Sequence, residues 1–154
     1  MDETKVTERY RVIIADDDPI FRSALRLIVQ QTCEVVAEAE NGQAAIDAAE
    51  ALHPDIVFLD ISMPILDGFQ AAAKFRANLS SIRIVMVTSH SEKAFIEQAL
   101  RSGAQAYVVK GSALVQVPDA IRGSWRADVP GRPASSIRFS SCSVTCRSKL
   151  RNIT

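Results

Sequence analysis

The sequence predicts an α/β protein built on a doubly wound, five-stranded parallel sheet. Five short β-rich runs alternate strictly with five helical patterns. Such alternation is typical of a parallel sheet that has helices on both faces and right-handed crossovers. Several of the runs are apolar almost throughout, as expected of strands that are buried on both faces. With 154 residues, 47% of them hydrophobic, the chain is long enough for one well-buried core.

The strands are predicted where β-branched and other apolar residues form short runs. In chain order these runs lie at 10–15, 34–39, 55–59, 82–87 and 105–109. Their lengths of five or six residues suit strands rather than helices. We therefore expect five strands joined by crossover helices.

The helices are predicted from three- and four-residue periodicity. The first carries a stripe formed by Ile20, Ala24, Leu27, Ile28 and Gln31. The second, 43–52, follows the turn dipeptide Asn41-Gly42 and ends at His53-Pro54. The others are predicted at 69–75, 92–101 and 113–125, and Gly103 is placed to cap the fourth helix.

Charge divides the chain, although its formal net charge is zero. Residues 1–125 carry 12 Lys and Arg against 17 Asp and Glu, whereas 126–154 carry six basic residues against Asp128 alone. The latter segment also has six serines, two prolines and no sustained periodicity. We expect a polar N-terminal extension at 1–9, one domain at 10–125, and a basic, disordered or weakly ordered tail at 126–154.

Other classes of protein are disfavoured. No apolar run approaches the ~20 residues that span a bilayer, and the charged N-terminus is unlike a secretory signal. A cytoplasmic location is therefore expected. The three cysteines are too few for a disulfide framework. Cys142 and Cys146 lack a nearby histidine or further cysteine, which favours two incidental thiols over a metal site.

Polar residues follow four of the predicted strands directly. They are Asp16, Asp17 and Asp18 after the first strand, Asp60 after the third, Thr88 and Ser89 at the end of the fourth, and Lys110 after the fifth. Open parallel sheets bind ligands beyond the carboxyl ends of their strands. We therefore expect these side chains to share one pocket.

Such a pocket suits phosphoryl transfer. Clustered carboxylates repel one another unless a cation lies among them, and oxygen ligands with phosphate oxygens suit Mg²⁺. A carboxylate can itself form an aspartyl-phosphate, with a lysine and a hydroxyl contacting the phosphoryl oxygens. Each residue alone is more simply a helix cap or a solvated lysine. Their occurrence together favours the pocket.

The sequence around these residues resembles the receiver domains of bacterial two-component response regulators. The matching stretches are VIIADDDPIFRSAL (12–25), PDIVFLDISMPILDGF (54–69), IVMVTSH (84–90) and GAQAYVVKGSA (103–113). The closest resemblance is to the NarL/FixJ, or LuxR-type, subfamily. It implies a flavodoxin- or CheY-like fold, Mg²⁺ as cofactor, and a signalling phosphoacceptor that assists its own phosphorylation and dephosphorylation but is not an enzyme.

The resemblance also implies a role for each residue of the pocket. Asp60 is the expected phosphoacceptor. The expected Mg²⁺ ligands are Asp16 through water, Asp17, Asp60 and the backbone carbonyl of Ser62. Lys110 is the lysine that contacts the phosphoryl group, and Thr88 and Tyr107 are the switch pair. Asp18 departs from the pattern: it either caps the first helix, which we favour, or tightens Mg²⁺ binding.

The expected partner is a sensor histidine kinase or a phosphotransfer protein. Phosphorylation would switch the surface formed by helix 4, strand 5 and helix 5, a surface that the resemblance also offers for a homodimer. Tyr107 has a simpler alternative, a half-buried strand aromatic with a solvated hydroxyl. A transcriptional regulator with a missing or altered output is the alternative function. DNA binding is not supported by this chain alone, because 126–154 show no helix-turn-helix pattern and Phe139 is their only aromatic.

Overall fold

The computed structural model describes residues 9–126, without the side chains of residues 119–120 and 122–126. The predicted N-terminal extension, apart from Arg9, lies outside the described residues. The same is true of the predicted basic tail after Arg126, including Cys142 and Cys146.

The described residues form the predicted five-stranded parallel sheet. Its strands are β1 (Tyr10–Ala15), β2 (Cys33–Ala39), β3 (Ile56–Leu59), β4 (Arg83–Thr88) and β5 (Ala106–Val109). Their order across the sheet is β2-β1-β3-β4-β5, and every neighbouring pair is parallel. Half of the ten strand ends coincide with the predicted ones, and the other five differ by one residue. The order of strands reverses at β1, so a crevice is expected at the carboxyl ends of β1 and β3.

Helices cover both faces of the sheet. They are α1 (Pro19–Val29), α2 (Gly42–Leu52), α3 (Gly68–Asn78), α4 (Lys93–Arg101) and α5 (Ala113–Arg126), and a 3₁₀ turn at Lys110–Ser112 precedes α5. One buried cluster contains side chains of α2, α3 and α4. A second contains side chains of α1 and α5. The doubly wound prediction is therefore confirmed.

The central strands alternate between these two clusters. In β3, Val57 belongs to the cluster under α2–α4, whereas Ile56 and Phe58 belong to the cluster under α1 and α5. All four residues of β3 and all six of β4 are buried. A strand buried on both faces needs apolar side chains at every position, which explains the continuous runs in the sequence.

Local capping fixes the helix ends near the crevice. The Asp18 carboxylate accepts hydrogen bonds from the backbone N–H groups of Ile20 and Phe21, and Pro19 supplies a fixed φ at the first helical position. Asp18 therefore has the cap role that we favoured. His53 ends α2 with φ 48°, and Gly103 follows α4 with φ 99°, as the sequence predicted.

The predicted apolar stripe of α1 is wrong. Ile20 is 82% exposed and Leu27 is 62% exposed, whereas Leu25 and Val29 are buried. The stripe that faces the sheet begins at Phe21 and continues through Leu25, and Ile28 was its one correctly predicted member. Two apolar stripes with helical spacing run along α1, and spacing alone does not tell which one meets the sheet.

No helix within residues 9–126 has the length and hydropathy of a membrane span.

Candidate functional site

Three carboxylates meet at the carboxyl end of the sheet. Asp16 follows β1 and Asp60 follows β3, and these strands pair in register up to Ala15 and Leu59. Asp16, Asp17 and Asp60 each offer one oxygen atom such that all three atoms lie within 4.8 Å of one another. Asp16 is 1% exposed and Asp60 is 5% exposed, while Asp17 faces solvent. The predicted acidic pocket therefore exists.

The backbone holds the two buried carboxylates in place. The N–H of Asp60 donates to Ala15 O at 3.0 Å, and the N–H of Asp16 donates to Ala39 O at 3.0 Å. The Arg22 side chain donates to the Asp16 carbonyl at 2.7 Å. The backbone of each aspartate thus continues the hydrogen-bond pattern of the sheet, so the sheet fixes the position of both residues.

Lys110 lies across the pocket from the carboxylates. Its Nζ is 2.8 Å from Asp16 Oδ2 and 3.0 Å from Asp60 Oδ2. It follows β5 at the start of the 3₁₀ turn, and its side chain is 18% exposed. The structure therefore brings together Lys110 and the two buried aspartates, as the sequence predicted.

The pocket retains an excess of negative charge, because three carboxylates share one ammonium group. Burial raises the pKa of Asp16 and the charge of Asp60 adds to this rise, although hydrogen bonds from Lys110 and from the N–H of Asp18 oppose it. Burial also works against the charge of Lys110. However, its bonds to Asp16 and Asp60 outweigh that effect and raise the pKa of Lys110. Lys110 therefore remains cationic.

The donor set fits a hard divalent cation. All three candidate ligands are carboxylate oxygens, and Mg²⁺ binds through carboxylates and waters. A cation here would relieve the repulsion that burial imposes on Asp16. Asp16, Asp17 and Asp60 can thus hold a metal ion. The role of the Ser62 carbonyl stays a prediction, supported by the position of Ser62 two residues after Asp60.

Thr88 and Tyr107 lie on the neighbouring strands and share a contact with His90. Both side chains are fully buried. The N–H of His90 approaches Thr88 Oγ1 at 3.4 Å, and the Tyr107 hydroxyl donates to the His90 carbonyl at 2.6 Å. The alternative for Tyr107, a half-buried ring with a solvated hydroxyl, is therefore wrong.

By the resemblance, Ser62 and His90 occupy positions that tune dephosphorylation; that role stays a prediction, and the structure brings the two side chains together. The Nε2 atom of His90 is 3.1 Å from Ser62 Oγ, and the His90 ring stacks on Phe95 with centroids 4.2 Å apart. The Phe21 ring was missed by the sequence analysis: Lys110 Nζ lies 4.6 Å from its centroid. Nothing in the local sequence of α1 indicates that contact, which only the folded chain creates.

Comparison with known families agrees with this arrangement. The family model described as "response regulator receiver domain" matches residues 12–122. The chain belongs to this family. The receiver domain is the phosphorylation-regulated module of two-component response regulators, and the fold and acidic pocket are those expected for it.

Curated relatives place the receiver domain among response regulators of the NarL and LuxR type. A probable transcriptional regulatory protein NarL of Mycobacterium tuberculosis is 35% identical over 116 residues, covering 74% of this chain and 54% of the relative. The chemotaxis protein CheY of Halobacterium salinarum is 34% identical over 111 residues, covering 72% of this chain and 92% of the relative. The chain thus spans about half the length of the NarL relative but nearly all of CheY.

Solved structures give the same result. The signal receiver domain of the response regulator NarL from Mycobacterium tuberculosis superimposes with a TM-score of 0.68 at 34% identity, covering 75% of this chain and 98% of that one. A LuxR-family two-component response regulator from Aurantimonas superimposes with a TM-score of 0.71 at 32% identity, covering 74% and 83%.

Proposed function

We propose that Asp60 accepts a phosphoryl group from a sensor histidine kinase or a phosphotransfer protein. The observation that carries this proposal is the position of Asp60: it is buried at the end of a central strand, with Asp16 and Asp17 beside it and Lys110 bonded to its carboxylate. Asp16 is held by Lys110 and by the N–H of Asp18, and Asp17 is exposed. Asp60 alone follows the central strand β3.

In the proposed step a carboxylate oxygen of Asp60 attacks the phosphorus of a phosphohistidine. The new O–P bond forms as the P–N bond breaks, and the donor nitrogen leaves with the electron pair. Lys110 turns from the carboxylates toward the phosphoryl oxygens and balances their charge. Asp16, Asp17, Asp60 and the Ser62 carbonyl would hold Mg²⁺, and the ion would neutralise further charge on those oxygens.

The phosphorylated site would signal through Thr88 and Tyr107. A phosphoryl oxygen on Asp60 offers the Thr88 hydroxyl a stronger, charged acceptor. Movement of Thr88 would disturb its contact with the N–H of His90, whose carbonyl holds Tyr107. This linkage connects the pocket to the α4–β5–α5 surface, which we propose as the output face and as the face of a homodimer. The protein would then act in the cytoplasm as a phosphoacceptor and not as an enzyme.

The intact mass of the full chain after incubation with Mg²⁺ and acetyl phosphate tests the acceptor. We expect one added phosphoryl group in the wild type and none in Asp60→Asn. Asp47→Asn is the matched control, because Asp47 is an exposed aspartate of α2 whose side chain meets Gln43. Undiminished labelling of Asp60→Asn would refute Asp60 as the phosphoacceptor. Loss of labelling in Asp47→Asn would show that the assay responds to a general loss of folded protein.

Transcription regulation is a second proposed function. The NarL and LnrK relatives are named transcriptional regulatory proteins, and the chain spans 54% and 46% of them. Fluorescence anisotropy with a labelled duplex, at several salt concentrations, measures DNA binding by the chain before and after phosphorylation. Affinity that rises on phosphorylation would support this function. Unchanged weak binding would instead leave signalling by protein contact.

A further inference from the structure

The ammonium group of Lys110 has a third neighbour besides its two carboxylates. The ring of Phe21 presents its centroid 4.6 Å from Nζ, while Asp16 Oδ2 and Asp60 Oδ2 lie 2.8 and 3.0 Å away. A cation within about 6 Å of an aromatic centroid is attracted by the negative face of the ring. The Lys110 ammonium group therefore contacts a ring of α1 as well as the two carboxylates.

Phe21 is itself firmly placed. Its backbone N–H reaches the capping carboxylate of Asp18 at 3.4 Å, and its half-buried side chain packs against the cluster under α1 and α5. Helix α1 begins immediately after the acidic residues that follow β1. The ring thus belongs to a rigid element adjoining the pocket, which is the arrangement a positioning group requires.

The three neighbours of Lys110 differ in what happens to them during phosphoryl transfer. Asp60 becomes an acyl phosphate and loses its negative carboxylate, and Asp16 is a candidate metal ligand. The phenyl ring has no proton to lose and coordinates no metal, so it can stay in contact throughout. It also excludes water from one side of the ammonium, which strengthens the remaining electrostatic contacts.

We propose that Phe21 is a positioning residue for Lys110, keeping the ammonium group aimed at the phosphoryl oxygens of Asp60. This role rests on the proposed function of Asp60. Phe21 acts through Lys110 and does not itself touch the reacting atoms.

A purely structural role for Phe21 in the core is the alternative that the experiment must separate. Phe21→Leu keeps an apolar side chain but removes the ring face. Ile28→Val is the matched control, because Ile28 packs against the same cluster further along α1. Each of these two substitutions is also made in a Lys110→Met background. Methionine is similar in length to lysine but carries no charge.

The measurement is the initial rate of labelling of the full chain by acetyl phosphate, followed by intact mass over a range of Mg²⁺ concentrations. We expect Phe21→Leu to lower the maximal rate by about two- to fivefold, the range that a cation–π contact at a partly exposed site supplies. The Mg²⁺ concentration at half-maximal rate should not change. Ile28→Val should keep the wild-type rate, and in Lys110→Met the ring substitution should have no further effect.

A spectroscopic readout accompanies the rates. In the wild type, the ring current of Phe21 should shift the NMR signals of the Lys110 protons next to Nζ upfield, and Phe21→Leu should abolish that shift. Three results would overturn the proposal: an equal rate in Phe21→Leu and the wild type, the same loss with and without Lys110, or no ring-current shift. A wild-type chain that gains no phosphoryl group would instead refute the proposed function of Asp60.

Discussion

Gly68 lies where the chain passes closest to the backbone of Asp60. A Cβ atom added at Gly68 would lie 2.3 Å from the carbonyl oxygen of Asp60 and 2.8 Å from Cα of Ile61. Contacts between non-bonded heavy atoms are most favourable at about 3.5–4.0 Å. Both of these atoms belong to the backbone, so neither can move away by a change of rotamer as a flexible side chain can. Gly68→Ala must therefore displace the segment that carries Asp60.

Three contributions set the change in the free energy of unfolding that Gly68→Ala causes. Overpacking costs about 1–3 kcal/mol, and weakening the hydrogen bond from the N–H of Gly68 to Ile61 O costs about 0.5–1.5 kcal/mol. Against this, Ala reduces the entropy of the unfolded chain, which stabilises by about 0.4–1 kcal/mol. We expect a net loss of roughly 0.5–4 kcal/mol in the free energy of unfolding.

Gly111→Ala is the matched control. Nothing lies within 4 Å of a Cβ at Gly111, and its φ is not positive. Only the unfolded-state term applies, so this variant should gain about 0.4–1 kcal/mol. Urea unfolding then separates the two midpoints by roughly 0.5–2.5 M for a slope near 2 kcal/mol/M.

The same pair of variants links stability to the pocket. Because the Asp60 carbonyl must move, Gly68→Ala should also be labelled more slowly by acetyl phosphate under conditions where it is fully folded. Gly111→Ala should be more stable than the wild type and should be labelled at the wild-type rate. If Gly68→Ala unfolded at the same urea concentration as Gly111→Ala, the close approach behind Asp60 would not exist.

Three further predictions concern other parts of the molecule. Lys110→Ala should leave Mg²⁺ affinity largely intact but uncouple phosphorylation from surface change; phosphorylation-dependent partner binding that stays unchanged would refute this. Since folding raises the pKa of Asp16 above 3.8, ionised Asp16 destabilises the protein as pH rises through its folded pKa. Asp16→Asn should therefore raise the melting temperature at neutral pH without Mg²⁺, with the difference vanishing below pH 3.8. Leu25→Ala should cost about 2–5 kcal/mol and Leu27→Ala under about 0.5 kcal/mol, since Leu25 is 1% and Leu27 62% exposed; equal losses in urea unfolding would contradict the observed face of α1.

The fold was predictable because its signals are local. Continuous apolar runs identify strands buried on both faces. Asn41 caps the start of α2 with its side chain, and His53 and Gly103 follow helix ends with a positive φ. The pocket was predictable for a related reason. The residues that follow parallel strands all lie at the carboxyl edge of the sheet. Strand order converts positions that are distant in sequence, such as Asp16 and Asp60, into neighbours.

What the sequence did not reveal depends on rotation and on tertiary contact. Periodicity offers α1 two apolar stripes, and the choice is made by the packing of Phe21 and Leu25 against the sheet. The contact between Phe21 and Lys110 joins a residue of α1 to the residue that follows β5. These positions are far apart in the sequence, so no local pattern predicts the contact. The buried hydroxyl of Tyr107 likewise finds its acceptor in the His90 carbonyl, which lies 17 residues away in the sequence.

The attachment of Asp60 to the strand ladder has a consequence for timescales. Its N–H bond to Ala15 O joins it to the centre of the sheet, where we expect amide protons to exchange with solvent only when the whole domain unfolds. Residues 89–92, between β4 and α4, have no place in that ladder. Their amides should exchange through small local openings. Residues 89–92 can therefore rearrange many times for each global unfolding event, while the backbone of Asp60 stays in place.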